Sequence, residues 1–414
     1  MPDLYDLYLE HPRVSTDSRH IEPDSIFFAL RGATFDGNRF AVESLSKGAA
    51  YAVVDDPSVA ANDARLLLVD NVLTTLQELA REHRRELGIP ILGIVGSNGK
   101  TTTKELVSRV LAERFEVYAT RGNLNNHIGV PLTLLAMTRD TEFGVVEMGA
   151  SGCGEIAMLC TIAQPNYGII TNIGRAHLEG FGGPEGVRRG KGELYNYLAE
   201  NGGHAFVPRE DATLVSMVAE RDSLATEYYS VELANGVVHH LEGEYNRYNV
   251  AAAMAVGSYF DVDYERICHA LDGYHPANNR SQRMESAHNT VVADCYNANP
   301  SSMRAAIENF RTEHSARHSK LFILGDMLEL GAWSQSEHEA IIHLALKQAD
   351  AHILLVGKEF AAACASAAPC DDRIQLFPTR MELVAYLTSH PVRDALVLVK
   401  GSHSIGLENT LDLL

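Results

Sequence analysis

Hydrophobic positions along this chain fall into short apolar runs separated by longer stretches of helical spacing. Ser25–Leu30, Ala50–Val54 and Arg65–Val69 have the length and composition of strands. Val72–Leu87 carries Leu73, Leu76, Leu79 and Ala80 on one helical face, and Gly88-Ile89-Pro90 breaks it. The alternation then resumes. Ile91–Val95, between Pro90 and Gly96, reads as a buried strand, and Leu106, Val107, Val110 and Leu111 follow at helical spacing. Phe143–Gly149 and Tyr167–Ile173 are apolar runs that end in polar residues. Farther on come Thr290–Asp294, a helix after Pro300, Lys320–Leu324, a helix opened by Ser334-Gln335-Ser336-Glu337 in capping-box form, His352–Val356, Met381–Leu387 and Ala395–Val399.

Strands alternating with helices predict an α/β protein with mainly parallel sheets. Three domains are expected: a small N-terminal α/β domain (1–88), a central domain (89–278) and a C-terminal, Rossmann-like doubly wound domain (279–414). The last lacks a Gly-x-Gly-x-x-Gly fingerprint, so no dinucleotide site is expected. In parallel sheets ligands sit at the carboxyl ends of strands, which puts Glu147, Thr171 and Asn172 on one edge.

Composition narrows the class. With 46% hydrophobic and 21% charged residues the chain is ordinary globular material. A formal net charge of −19 argues against nucleic acid or an anionic membrane as partner. Six cysteines without a Cys-x-x-Cys pair suggest neither zinc nor a disulfide framework. Met-Pro-Asp-Leu-Tyr at the start has no secretory pattern, and no apolar stretch could span a bilayer. A soluble, cytoplasmic monomer is the expectation.

Chemistry enters at Gly96-Ser97-Asn98-Gly99-Lys100-Thr101-Thr102, between a strand and a helix. Strand, Gly-rich turn, Lys-Thr and helix make a phosphate-binding loop: backbone N–H groups and the helix N-terminus face the anion, Lys100 adds charge, and the Thr101 hydroxyl can hold Mg²⁺. The usual first glycine is replaced by Ile94. Glu147, at its strand end, is the carboxylate placed to join Thr101 at a nucleotide-bound metal.

Gly-Ser-Asn-Gly-Lys-Thr-Thr resembles the loop of the Mur ligase family of ATP-dependent amide-bond-forming enzymes. Other segments resemble the same family in order. Thr171-Asn-Ile-Gly-Arg-Ala-His-Leu-Glu179 resembles a signature whose histidine, here His177, binds a second Mg²⁺. Lys191, in Arg188-Arg-Gly-Lys-Gly-Glu193, reads by composition as a solvated turn, but the resemblance makes it a lysine carbamate and an anionic metal ligand. Thr120-Arg-Gly-Asn-Leu-Asn-Asn126 is similar to a substrate-cleft segment and implicates Asn123, Asn125 and Asn126. Tyr245-Asn-Arg-Tyr-Asn249 resembles an element near the nucleotide, with Asn246 and Asn249 matching and Tyr245 in place of the usual His. Arg280 resembles a hinge arginine that contacts nucleotide, with Arg283 close by. Asp17-Ser18-Arg19 and Asp36-Gly37 read as turns when taken alone, and the resemblance makes Ser18, Arg19, Asp36 and Gly37 contacts for the UDP part of a substrate.

Asp294-Cys-Tyr-Asn-Ala-Asn-Pro-Ser-Ser-Met303 and Leu324-Gly-Asp-Met-Leu-Glu-Leu-Gly331 resemble the branch of the family that adds a dipeptide. They implicate Asp294, Asn297, Asn299 and Asp326 in binding it. Leu398-Val-Lys-Gly-Ser402 resembles its closing string, with His403 in place of Arg. The implied reaction uses ATP and two Mg²⁺ to activate the carboxylate of UDP-N-acetylmuramoyl-tripeptide for attack by D-alanyl-D-alanine. Lys100, Glu147, His177 and Lys191 would be the catalytic set, with the N-terminal domain holding the UDP moiety, the central one ATP and the C-terminal one the amine. Diaminopimelate- or lysine-adding relatives, a folylpolyglutamate synthase and a non-catalytic nucleotide-binding module are the alternatives.

Overall fold

A computed structural model describes residues 3–61, 63–276, 282–312, 319–367 and 371–414. The chain builds three sheets in sequence, and buried apolar clusters run across the junctions between them: one joins Ile26 and Phe28 to Ile91 and Val95, another Phe181 to Phe322. The first contains β1 (Arg13–Ser15), β2 (Ser25–Phe28), β3 (Tyr51–Val54) and β4 (Leu66–Leu68), all parallel and in chain order. Buried Ile26, Phe27 and Phe28 supply side chains to both faces, as a parallel strand covered on two sides requires.

The helix Val72–Leu87 leads from this sheet to the next and forms where its spacing predicts. Asn71 caps it by accepting from Thr74 N–H at 2.8 Å. Leu76 and Leu79 are buried, while Arg84 Nε reaches the Ala163 carbonyl at 3.0 Å and Arg84 Nη2 the Asn166 side chain at 2.8 Å. Tyr8 Oη donates to the Leu135 carbonyl at 2.6 Å, and His83 Nε2 lies 2.9 Å from the Met137 carbonyl oxygen. The first unit is thus tied to the second by polar contacts as well as apolar packing.

The second sheet holds β5 (Ile91–Val95), β6 (Val117–Ala119), β7 (Phe143–Glu147), β8 (Tyr167–Ile170), β9 (His204–Pro208) and β10 (Ala225–Tyr229). Its order is β10-β9-β8-β5-β7-β6, entirely parallel. The chain leaves β5 toward β6 on one side and later places β8 on the other. The carboxyl end of β5 is therefore a topological switch point, where such sheets open a crevice.

The third sheet holds β11 (Gln282–Glu285), β12 (Thr290–Asp294), β13 (Ser319–Gly325), β14 (Ala351–Val356), β15 (Ile374–Phe377) and β16 (Ala395–Lys400). The order is β11-β12-β16-β13-β14-β15, with β11 antiparallel on the edge and the rest parallel. The sheet is mixed, an antiparallel edge strand on an otherwise parallel sheet, in keeping with the expected doubly wound domain. The expected boundary at 278/279 lies outside the described residues.

Two local expectations fail. Ser334 is helical, at φ −52°, in the first turn of Ser334–Leu346, and Trp333 occupies the cap position without a side-chain hydrogen bond. A short 3₁₀ turn, Gly331–Trp333, runs straight into that helix, so no capping box forms. Arg188–Glu193 is no turn either, but the middle of the helix Pro184–Glu200. Gly190 packs there so tightly that a Cβ would sit 2.4 Å from Phe181 Cε1, so the glycine serves close packing.

Candidate active site

The phosphate-binding loop follows β5 and feeds the helix Lys100–Ala112. Gly96 holds φ 149°, and a Cβ on it would lie 1.9 Å from Thr171 Oγ1, so only glycine fits. Neighbouring strands tie the loop down. Asn98 N–H donates to Asn172 Oδ1 at 3.1 Å, Asn172 Nδ2 donates to the Asn98 carbonyl at 3.0 Å, and Gly174 N–H donates to Ser97 Oγ at 2.9 Å. Lys100 folds back on the loop, donating to the Gly96 carbonyl at 2.7 Å.

Glu147 ends β7 beside the loop and is 2% exposed. Thr101 Oγ1 donates to its Oε2 at 2.9 Å and Asn125 Nδ2 to its Oε1 at 2.8 Å. Among the described residues no basic side chain pairs with this buried carboxylate, an arrangement suited to a bound cation. No cluster of three or more His, Cys, Asp or Glu able to hold a metal occurs among the described residues. A cation here would therefore draw on Glu147, the Thr101 hydroxyl and ligand oxygens.

Lys191 is 1% exposed, its Nζ donating to the Ala150 carbonyl at 3.0 Å and lying 4.8 Å from the centre of the Phe181 ring. Burial, with Lys100 nearby, pushes the amine down to about 7. His177 sits at the mouth of the next turn with Nδ1 against Glu329 of the third unit. Burial lowers its imidazole's affinity for a proton, and the Glu329 contact opposes that shift.

Across the cleft stands the third unit. Asn299 Nδ2 donates to Asn98 Oδ1 at 2.7 Å, so the Asn-Ala-Asn-Pro segment touches the phosphate loop itself. Asp294, at the end of β12, accepts from Lys400 Nζ at 2.6 Å, and the same ammonium donates to the Asn297 carbonyl at 2.9 Å. These walls enclose a cavity of about 660 Å³ at the carboxyl ends of two sheets.

The cavity gathers Ser97, Asn98, Gly99, Lys100, Thr101, Thr102, Asn123, Asn125, Asn126, Glu147, His177, Asn246, Asn249, Asp294 and Asn297. Gly96, Asn299 and Lys191 stand just behind this wall, bonded to residues that form it. Asn249 Oδ1 accepts from Thr103 Oγ1 at 3.0 Å, bracing the helix that carries Lys100, and Tyr245 also lines the cavity.

Other expected site residues lie elsewhere. Asp326 caps the helix Lys358–Ala367, accepting from Phe360 N–H at 2.9 Å and Glu359 N–H at 3.1 Å, and does not line the cavity. Ser18, Arg19, Asp36 and Gly37 are on the first unit, outside it. Arg19 pairs with Asp17 at 2.8 Å, Lys47 Nζ donates to the Ser18 carbonyl at 2.8 Å, and Asp36 Oδ1 accepts from Asn38 N–H at 3.0 Å ahead of the turn begun by Gly37. Arg283, on β11, faces Glu285 at 3.3 Å; Arg280 lies outside the described residues.

Lys400, Glu329 and Tyr296 also line the cavity; each stands in a string quoted from the sequence but was given no role there. Lys400 was legible, since it ends an all-apolar run as Glu147 does. His403, in place of the usual Arg, stacks on Tyr296 with ring centres 5.7 Å apart.

Comparison with known proteins agrees with this arrangement. Residues 12–84 match the model "Mur ligase family, catalytic domain", 94–239 the Mur ligase middle domain and 279–403 the "Mur ligase, glutamate ligase domain". A UDP-N-acetylmuramoyl-tripeptide–D-alanyl-D-alanine ligase of Bacillus subtilis (strain 168) is 33% identical, covering 95% of this chain and 91% of its own. The chain belongs to the Mur ligase family. Among solved structures, MurF from Acinetobacter baumannii superposes with a TM-score of 0.85 at 30% identity, covering 97% of this chain and 93% of that one. MurF ligase from Thermotoga maritima in complex with ADP superposes at 0.83 with 26% identity, covering 100% and 98%. This Mur ligase is therefore matched over nearly its whole length. Among the described residues no helix is long and apolar enough to cross a membrane.

Proposed function

We propose that this Mur ligase joins D-alanyl-D-alanine to UDP-N-acetylmuramoyl-tripeptide with conversion of ATP to ADP and phosphate, a cytoplasmic step of peptidoglycan synthesis. One observation carries the reading: Asn299, from the segment resembling the dipeptide-adding branch, bonds to Asn98 of the phosphate loop. The surface that would receive the amine is thereby held against the surface that would hold ATP.

The tripeptide carboxylate attacks the γ-phosphorus of ATP, ADP leaves, and an acyl phosphate forms. The dipeptide amine then adds to the acyl carbon, phosphate departs, and a proton is lost from nitrogen. Two anions must meet in the first step, so charge neutralisation is the main demand. Lys100 supplies a cation at the loop, and the loop N–H groups orient the phosphates. Bound Mg²⁺ would neutralise phosphate charge, one ion held by Thr101 and Glu147 and a second by His177 and the carbamate of Lys191. Carbamate formation needs an uncharged amine, which the burial of Lys191 favours. Asn123, Asn125 and Asn126 would hold substrate oxygens, and Asn246 and Asn249 the nucleotide. Asp294, Asn297 and Asn299 would receive the dipeptide, whereas Asp326 is engaged at a helix N-terminus outside the cavity. Ser18, Arg19, Asp36 and Gly37 on domain 1–88 would grip the UDP moiety; Arg280, outside the described residues, is assigned to the nucleotide on resemblance alone.

The test is product mass after mixing the chain with ATP, Mg²⁺, UDP-N-acetylmuramoyl-tripeptide and a panel of amines. The expected product is the pentapeptide, with one ADP per amide bond and D-alanyl-D-alanine preferred. ADP release driven instead by diaminopimelate, lysine or glutamate would reassign the amine.

A further inference from the structure

Glu329 lines the cavity but has no part in the chemistry above. It follows β13 in the third unit, and its carboxylate meets His177 Nδ1 in the second. Both residues hold left-handed backbone, φ 52° at His177 and 61° at Glu329, a conformation that side-chain-bearing residues seldom adopt. Such geometry persists only where surrounding structure enforces it, and it concentrates at functional sites. Here it turns the two side chains toward each other, while Glu179 N–H donates to the Glu329 carbonyl at 3.2 Å to fix the approach.

The contact determines the chemistry of the ring. A carboxylate at Nδ1 makes that nitrogen the donor and leaves Nε2 with its lone pair, the form a metal takes. Nε2 of His177 has no hydrogen-bonding partner among the described residues, and the ring lines the cavity. We propose that Glu329 is a positioning residue: the docked third domain supplies it to His177, selecting the tautomer whose Nε2 can accept a divalent cation. The inference rests on the metal role given to His177 in the ligase reading, and it makes metal affinity in the second domain depend on the third.

Docking and tautomer selection are separable because other groups hold the domains. Arg175 Nε meets Glu337 Oε1 at 2.6 Å, Arg175 N–H donates to Ser301 Oγ at 2.8 Å, and Trp333 packs on Gly183. Trp333 is the chain's one tryptophan, so its fluorescence reports docking.

The experiment measures Mn²⁺ binding to the full chain with ADP by electron paramagnetic resonance. Glu329→Ala is expected to weaken the His177-dependent Mn²⁺ roughly 10- to 100-fold with Trp333 fluorescence unchanged, and Glu329→Gln, whose amide oxygen still accepts, to recover most of it. In a His177→Ala background Glu329→Ala should add nothing. Unchanged Mn²⁺ affinity in Glu329→Ala overturns the proposal. So does an equal loss in Glu337→Gln, which would make docking alone responsible. If His177→Ala itself binds Mn²⁺ like wild type, the metal role of His177 falls and this proposal with it. Product formation by the wild type, measured separately, tests the ligase reading on its own.

Discussion

The cleft between the second and third units and the face of the first unit stand in contrast. In the cleft, residues far apart in sequence are already bonded to one another: Thr101 to Glu147, Asn98 to Asn299, Lys400 to Asp294. On the first unit, Arg19 and Asp36 are held, among the described residues, only by near neighbours, and the Arg19 side chain is 81% exposed. A preassembled centre spends its interactions on the transition state, whereas an open face contributes chiefly to ground-state binding. The contrast therefore predicts losses in kcat from the cleft and losses in KM from the face.

The largest effect should come from Lys100→Ala. Removing a preorganised cation from a phosphoryl-transfer site costs about 10²- to 10³-fold in kcat. The thermal midpoint should hardly move. Steady-state kinetics with calorimetry checks both, and a change confined to KM would erase the distinction between the two regions.

Next is Lys400→Met. Lys400 is 1% exposed and bonds Asp294, so its loss leaves a mostly buried carboxylate without that cation. Breaking such a pair costs about 3–5 kcal/mol, measurable by urea unfolding. A wild-type-like midpoint would show that the cleft is less tightly assembled than its bonds imply.

Lys191 gives a pH signature. Its folded-state amine lies at about 7, below the usual lysine value near 10.4. Between those values the unfolded chain binds the extra proton, so stability rises with pH across that window and falls as pH drops toward 7. In CO₂-depleted protein the gain should be on the order of a few kcal/mol and should vanish in Lys191→Met. With CO₂ supplied, mass spectrometry of the intact chain should detect an adduct at Lys191 that grows as pH rises through 7.

Much of this was legible in the sequence, for unequal reasons. Val72–Leu87, Ile91–Val95 and Thr290–Asp294 fall where their apolar spacing puts them, because each buries a continuous face. The Ser334 cap failed because a preceding 3₁₀ turn, set by tertiary packing, already made that residue helical. Lys191 failed as a turn because Arg, Gly and Lys together look solvated, whereas in the helix only the arginines stay at the surface and Phe181 covers Gly190 and Lys191. Asp326 was placed in the site by its motif, yet its oxygens are occupied at a helix N-terminus, a long-range pairing that no local pattern displays.

The smallest effect sharpens the comparison most. Arg19 is exposed and its partner Asp17 lies two residues away, so Arg19→Ala should leave the unfolding midpoint where it is. If the guanidinium meets a UDP phosphate, it must leave Asp17 for that anion, exchanging one charge-assisted bond for another. The net gain is then modest, and the variant should raise KM for the UDP-linked substrate roughly tenfold with kcat intact. Asp17→Asn separates the two roles. It frees Arg19 without removing it, so KM should fall or hold. A rise equal to that of Arg19→Ala would mean that the pair only shapes the turn, and the face would have to grip its substrate through other residues.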